Sequence, residues 1–128
     1  MENRAELDRR LDRIEFNVKS HVVCSNINRA GIVYILNRSP NNEMQAERIA
    51  SMLGISHRTA LYHLDILHDL NIVEVRKFRR KGNILMRSIW GLNENNGNLS
   101  RIVSRISDRY IDGGDLKEKI KKKKTPRK

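Results

Sequence analysis

The chain has 128 residues, with 26 Lys and Arg against 15 Asp and Glu for a formal charge of +11, and a single cysteine, Cys24. That length suits one domain with a modest core plus extensions, and a soluble protein this basic usually meets a polyanion: DNA, RNA or an anionic membrane surface. The lone cysteine excludes an internal disulfide and a Cys-rich zinc site, and no apolar run approaches the length of about 18 residues that spans a membrane.

Charge is unevenly placed. Residues 1–20 carry five basic and five acidic side chains, residues 76–87 carry six basic and no acidic ones, and the last twelve, KEKIKKKKTPRK, carry eight basic and one acidic. The result is a basic patch and a basic tail on an otherwise slightly acidic chain. The charged start MENRAELDRR does not resemble a secretory signal, so a reducing, cytoplasmic setting at the nucleoid is the expectation.

In chain order, residues 3–19 place Leu7, Leu11, Ile14 and Val18 at steps of four, three and four. At about 100° per residue these four fall within about 60° of one another, a narrow stripe with charged flanks and with Phe16 on the far side. Such a stripe reads as a helix–helix seam between subunits, or else as a helix laid on its own core. His21 and Cys24 supply two ligands at most, so the thiol is read as buried and idle. Next, SNINRAGIVYIL offers Ser25 or Asn26 as the cap of an apolar helix, and NRSPNNE is a loop. EMQAERIASMLG spaces Ala46, Ile49, Ala50 and Leu53 as a second helix with Gly54 past its end. Ser56 then caps a third helix that runs to about Leu70.

After Asn71 the period changes. IVEVRKF and ILMRSIWGL are β-branched and aromatic-rich and flank RRKGN, which predicts a hairpin, although neither segment alternates cleanly. NLSRIVSRISDRYI places Leu99, Ile102, Val103, Ile106 and Tyr110 on one helical face and Arg101, Arg105 and Arg109 on another. Gly113 and Gly114 end that helix, and the Lys-rich tail beyond is expected to be disordered without a partner. The expected division is 1–24 for an N-terminal helix that dimerises, 25–94 for the central domain, 95–112 for a C-terminal helix and 113–128 for the tail.

Three of the four histidines lie in GISHRTALYHLDILHDLNIVEV, which raises the prospect of metal or proton-transfer chemistry. Helical chelation needs ligands three or four residues apart, whereas His57, His63 and His68 are six and five apart and point in different directions. On a helical wheel, Ala60, Leu64, Leu67 and Asn71 mark the inward face, with Arg58, Tyr62, Asp65 and Asp69 opposite. The arginine and tyrosine occupy the front of the outward face and the aspartates its rear, which suits a helix whose front end approaches a polyanion. His63 reads as a partly buried, hydrogen-bonded residue, and His57 is better placed to touch DNA. The order helix, helix, turn, longer helix and basic hairpin matches a helix-turn-helix followed by a wing.

AERIASMLGISHRTALYHLDILHDLNIVEVRKF, with IWGLN beyond it, resembles the winged helix-turn-helix of ArsR-like bacterial and archaeal transcription regulators. The resemblance covers about residues 25–94 and implies a mainly α fold with a small β-hairpin wing (α+β), carrying extra N- and C-terminal helices. It also implies base reading by Ser56, His57, Arg58, Thr59 and Tyr62, with Arg58 the best candidate for a bidentate guanine contact and phosphate contacts the alternative for Ser56, Thr59 and Tyr62. The wing set Arg76, Lys77, Arg79, Arg80, Lys81 and Arg87 suits phosphates or the minor groove. Metal-sensing relatives carry a Cys-x-Cys-type signature where this chain reads QAERIA, so no metal and no cofactor are expected.

The leading function is therefore a dimeric, sequence-specific, double-stranded DNA-binding regulator. The expected dimerisation residues are Leu7, Leu11, Ile14 and Val18 with Leu99, Ile102, Val103 and Ile106. Expected partners are double-stranded DNA, a second copy of the chain and the basal transcription machinery, with no membrane. An RNA-binding winged helix and a nucleoid protein that coats DNA without reading it are the alternatives; scarce aromatics count against the first. An enzyme is the weakest reading, because no nucleophile–base array, phosphate-cradling Gly loop or paired carboxylates stand out.

Overall fold

A computed structural model describes residues 3–111, apart from the side chains of 79, 81, 84–88 and 111. The basic tail expected at 113–128, and the glycine pair expected to end the last helix, lie outside the described residues.

Helix α1 (Arg4–Cys24) starts where the Asn3 side chain accepts the Glu6 N–H at 2.8 Å, and it runs beyond the 3–19 stripe to residue 24. The extension follows from burial, since Ser20, Val23 and Cys24 all pack inward. Helix α2 (Ile27–Asn37) is capped by Asn26, whose side-chain oxygen accepts from the N–H groups of both Asn28 and Arg29. Asn26, not Ser25, is thus the cap. Ala30, Ile32, Val33 and Leu36 are fully buried, so α2 is enclosed on most sides and forms the centre of the molecule.

A short 3₁₀ turn at Pro40–Asn42 leads into strand β1 (Glu43–Gln45), which sequence periodicity assigned to the next helix. The correction has a tertiary cause: Met44 pairs with Trp90 on the wing, and that backbone pairing holds the segment extended. Helix α3 (Ala46–Leu53) then follows, and α4 (His57–Asp69) after it. Strands β2 (Val73–Lys81) and β3 (Ile84–Leu92) complete an antiparallel sheet of order β1-β3-β2. Gly82, at φ +63, takes the first place of the two-residue turn, where a left-handed residue lets the strands keep their twist.

The imperfect alternation of the hairpin has a cause in its register. Val75 faces Trp90 and Lys77 faces Ile89, so Arg76 is an extra residue on β2; Phe78 then faces Arg87 after a second shift. Each shift moves the following side chains to the other face.

Helix α5 (Leu99–Ile106) widens into a π-helical turn at Ser107–Ile111. Its buried side chains, Ile102, Ile106 and Tyr110, close over α1 and α2. The Tyr110 hydroxyl donates to the carbonyl of Cys24, pinning this last turn to the α1–α2 junction. Phe16, read from the sequence as lying on the far side of α1, is in fact that helix's foothold on the core, and is covered by Arg101 and Arg105 at 4.4 and 5.1 Å from its ring centre.

Candidate nucleic-acid interface

The turn between α3 and α4 is built by one glycine and one serine. Gly54 sits at φ +72 just past α3; its N–H reaches the carbonyl of Ser51, and the N–H of Ile55 reaches that of Ala50. This pair of bonds closes the helix end in a Schellman motif, for which glycine carries no Cβ penalty. Two residues on, Ser56 accepts the N–H of Thr59 at 3.0 Å and donates to the Thr59 hydroxyl at 2.9 Å. Losing such a cap costs about 1 kcal/mol. Ser56 therefore acts first as the residue that starts the helix.

Helix α4 divides as the wheel anticipates over most of its length. Ala60, Leu64 and Leu67 are fully buried, while Arg58, Tyr62, Asp65 and Asp69 are exposed. Asn71 is the exception. Expected on the inward face, it instead sits exposed at φ +61, where the N–H of Ile72 caps the Leu67 carbonyl and ends the helix. The side-chain amides of Asn93 and Asn96 both donate to the Asn71 carbonyl and tie this corner to the end of the wing.

At the front of α4, His57 and Arg58 are exposed and Arg58 has no ion-pair partner among the described residues; Tyr62 is 61% exposed, its ring edge-on to His63. His63 is buried, and Nη1 of Arg29 approaches its Nδ1 at 3.3 Å. Burial and the Arg29 charge both hold the imidazole below its ordinary pKa. The residue is thus part of the α2–α4 contact, as a partly buried, hydrogen-bonded histidine should be. His68 is exposed and stands edge-on to the Trp90 ring, on another side of the helix. The three rings do not converge.

The wing needs one correction. Arg76, expected to contact DNA backbone, turns inward across Gly91 to carboxylates of Glu74 (2.8 Å) and Glu43 (3.0 Å), and its guanidinium also donates to the carbonyls of Asn41 and Leu92. Glu94 adds a third carboxylate at 3.8 Å. Partial burial alone would lower its pKa, but the hydrogen bonds and charges of Glu43 and Glu74 raise it instead. Counting charge along residues 76–87 missed this, because all three carboxylates lie outside that window. Lys77 and Arg80 are exposed, and the side chains of Arg79, Lys81 and Arg87 lie outside the described residues. Phe78, which follows Lys77 in the sequence, is 54% exposed, a surface aromatic that charge counting passed over. Its position among arginines was the available signal.

The stripe of α1 is not covered by the described residues: Leu7, Leu11, Ile14 and Val18 are 45–56% exposed. Ile102 and Ile106, expected to share in dimerisation, are buried in the chain's own core and have no surface to offer; Leu99 and Val103 keep partial exposure.

A helix-turn-helix with a buried inner face, an exposed cationic front and a following two-stranded wing defines a winged helix-turn-helix. Residues 27–75 match the family model described as bacterial regulatory protein, arsR family. The chain therefore carries an ArsR-like helix-turn-helix, the module of DNA-binding transcription regulators. No curated protein and no solved structure was found to match. No helix among the described residues is long and apolar enough to cross a membrane.

Proposed function

We propose that this chain is a sequence-specific regulator of transcription that binds double-stranded DNA as a homodimer. One observation carries the reading: Arg58, exposed and without an ion-pair partner among the described residues, stands at the front of a helix whose other face is locked into the core. A major groove admits such a helix, and a planar guanidinium matches the N7 and O6 acceptors of guanine. His57, Thr59 and Tyr62 flank Arg58, and Ser56 holds the helix start. Lys77 and Arg80 of the wing, with Arg79, Lys81 and Arg87, contribute phosphate contacts that position the domain without reading sequence.

The exposed stripe of α1 supports the dimer. Four aliphatic side chains at seam spacing, each about half exposed, form a surface that a second copy would bury. Paired this way, two α4 helices would enter successive major grooves about 34 Å apart.

The test is repeated selection of bound duplexes from a random pool by fluorescence anisotropy at about 0.15 M salt, with structured RNA as competitor. A motif with two half-sites, lost in Arg58→Ala, supports the reading. Binding that weakens with salt but enriches no motif points to a coating protein. Preferential displacement by RNA points to an RNA-binding winged helix.

A further inference from the structure

Away from the DNA-facing side, a cleft of about 450 Å³ opens between the second half of α1 and the π-helical turn after α5. Its α1 wall is Asn17, Ser20, His21 and Cys24; the facing wall is Arg105, Asp108 and Arg109. Asn17, His21, Arg105, Asp108 and Arg109 are exposed, so the cleft is open to solvent and its floor is the buried pair Ser20 and Cys24. We propose that this cleft binds a small phosphorylated or carboxylated metabolite.

The two arginines define the chemistry. Arg105 and Arg109 lie one helical turn apart and line the same wall, and neither has an ion pair among the described residues; Asp108, on that wall too, also makes none. A guanidinium presents paired N–H donors in a plane that matches carboxylate or phosphate oxygens two at a time. Arg105 lies over the Phe16 ring and Arg109 over that of Tyr110, at 5.1 and 5.6 Å, so each guanidinium has a ring contact beside the cleft. Asn17, His21 and the buried hydroxyl of Ser20 supply donors and acceptors for hydroxyl groups on the rest of a metabolite, and Asp108 accepts from one.

The local backbone serves the site. A π-helical turn carries one more residue per turn than its neighbours need, and such turns are frequent at functional sites. Here it sets Asp108 and Arg109 on the cleft while the Tyr110 hydroxyl anchors the turn to the Cys24 carbonyl. Burial pushes the Cys24 thiol up, against the Ser20 hydrogen bond and the positive fields of Arg109 and Arg105. An occupant would touch both α1 and α5 and so set the angle of α1 against the winged helix. That regulatory consequence rests on the dimer reading, whereas binding itself does not.

Cys24, the chain's only thiol, is buried in the cleft wall at 5% exposure and is reached by a thiol reagent only when the α1–α5 contact opens, so an occupant that holds this contact closed slows its labelling. The experiment labels the full chain in the presence of glycerol 3-phosphate, citrate or inorganic phosphate. Saturable protection is expected, about tenfold at ten times the half-saturating concentration. Phosphate compounds alone, or citrate alone, protecting would assign the anion class. Protection should vanish in Arg105→Gln/Arg109→Gln and persist in Arg80→Gln on the wing. Should the double substitution unfold the chain by circular dichroism, Arg109→Gln, at an exposed position, carries the same comparison. Unchanged labelling with all three compounds, or equal loss of protection in Arg80→Gln, overturns the proposal.

Discussion

Arg29 and His63 meet across the α2–α4 contact, with Nη1 of the arginine 3.3 Å from Nδ1 of the histidine. A guanidinium can only donate, so Nδ1 must be the acceptor and the buried ring must be neutral. Arg29 is itself fixed, donating from Nε to the Val22 carbonyl at 2.8 Å. Protonating His63 would place two cations together in the α2–α4 contact.

Acid sensitivity follows from that contact. His63 is held below its ordinary value of 6.5, first by burial and then by Arg29. Below that value the unfolded chain takes up a proton that the folded chain resists, so stability present at neutral pH falls as pH drops through 6.5 toward the folded value. His63→Gln should flatten this component of the decline. Urea unfolding midpoints from pH 7.5 to 5 check it, and parallel curves for the two proteins would refute it.

Gly91 and Arg76 should behave as a coupled pair. A Cβ on Gly91 would lie 2.5 Å from Nε of Arg76, and that side chain cannot step aside without breaking its carboxylate and carbonyl bonds. Gly91→Ala is expected to destabilise by about 1–3 kcal/mol, as overpacking does. In an Arg76→Ala background the same substitution should cost well under half of that. Additive effects in the double-mutant cycle would show that the crossing does not constrain the wing.

Leu11→Glu/Ile14→Glu should convert a dimer to a monomer with little change in monomer stability. These side chains are 52 and 56% exposed and belong to no buried cluster, so the folded chain loses little internal packing. Sedimentation velocity reads the change in mass, and half-site binding should replace full-site binding in the same preparation. An unchanged sedimentation coefficient would place the interface elsewhere.

Wing cations should register in the salt dependence. Replacing Lys77 and Arg80 by Ala is expected to reduce the slope of log K against log salt by about 1 for each phosphate no longer neutralised, with the preferred motif unchanged. Arg76→Ala should leave that slope nearly as it was, since its charge is balanced by Glu43, Glu74 and Glu94. A shift in the selected motif on removing Lys77 and Arg80 would instead make the wing a reader of bases.

Local signals made much of the fold legible. Ser56 as cap, Gly54 past the helix end, and the split of α4 between Ala60–Leu64–Leu67 and Arg58–Tyr62 all depend on interactions within a few residues, and they appear where the spacing put them. The ArsR-like module follows from that run of signals, and the match over residues 27–75 agrees with it. Asn71 escaped because an asparagine four residues past Leu67 looks like one more inward position until its backbone turns left-handed.

Interactions between residues distant in sequence decided the rest. Glu43–Gln45 has too few residues to declare itself a strand, and it is one because β3 offers it a backbone edge. Arg76 reads as a wing cation until Glu43, 33 residues earlier, and Glu94 close around it. The identity of Phe16 as the foothold of α1, and the exposure of Leu7, Leu11, Ile14 and Val18, depended on where α5 came to rest. Helical periodicity marks which side chains share a face. Whether that face meets the chain's own core, a second copy or water is a free-energy comparison among surfaces that only the assembled structure brings together.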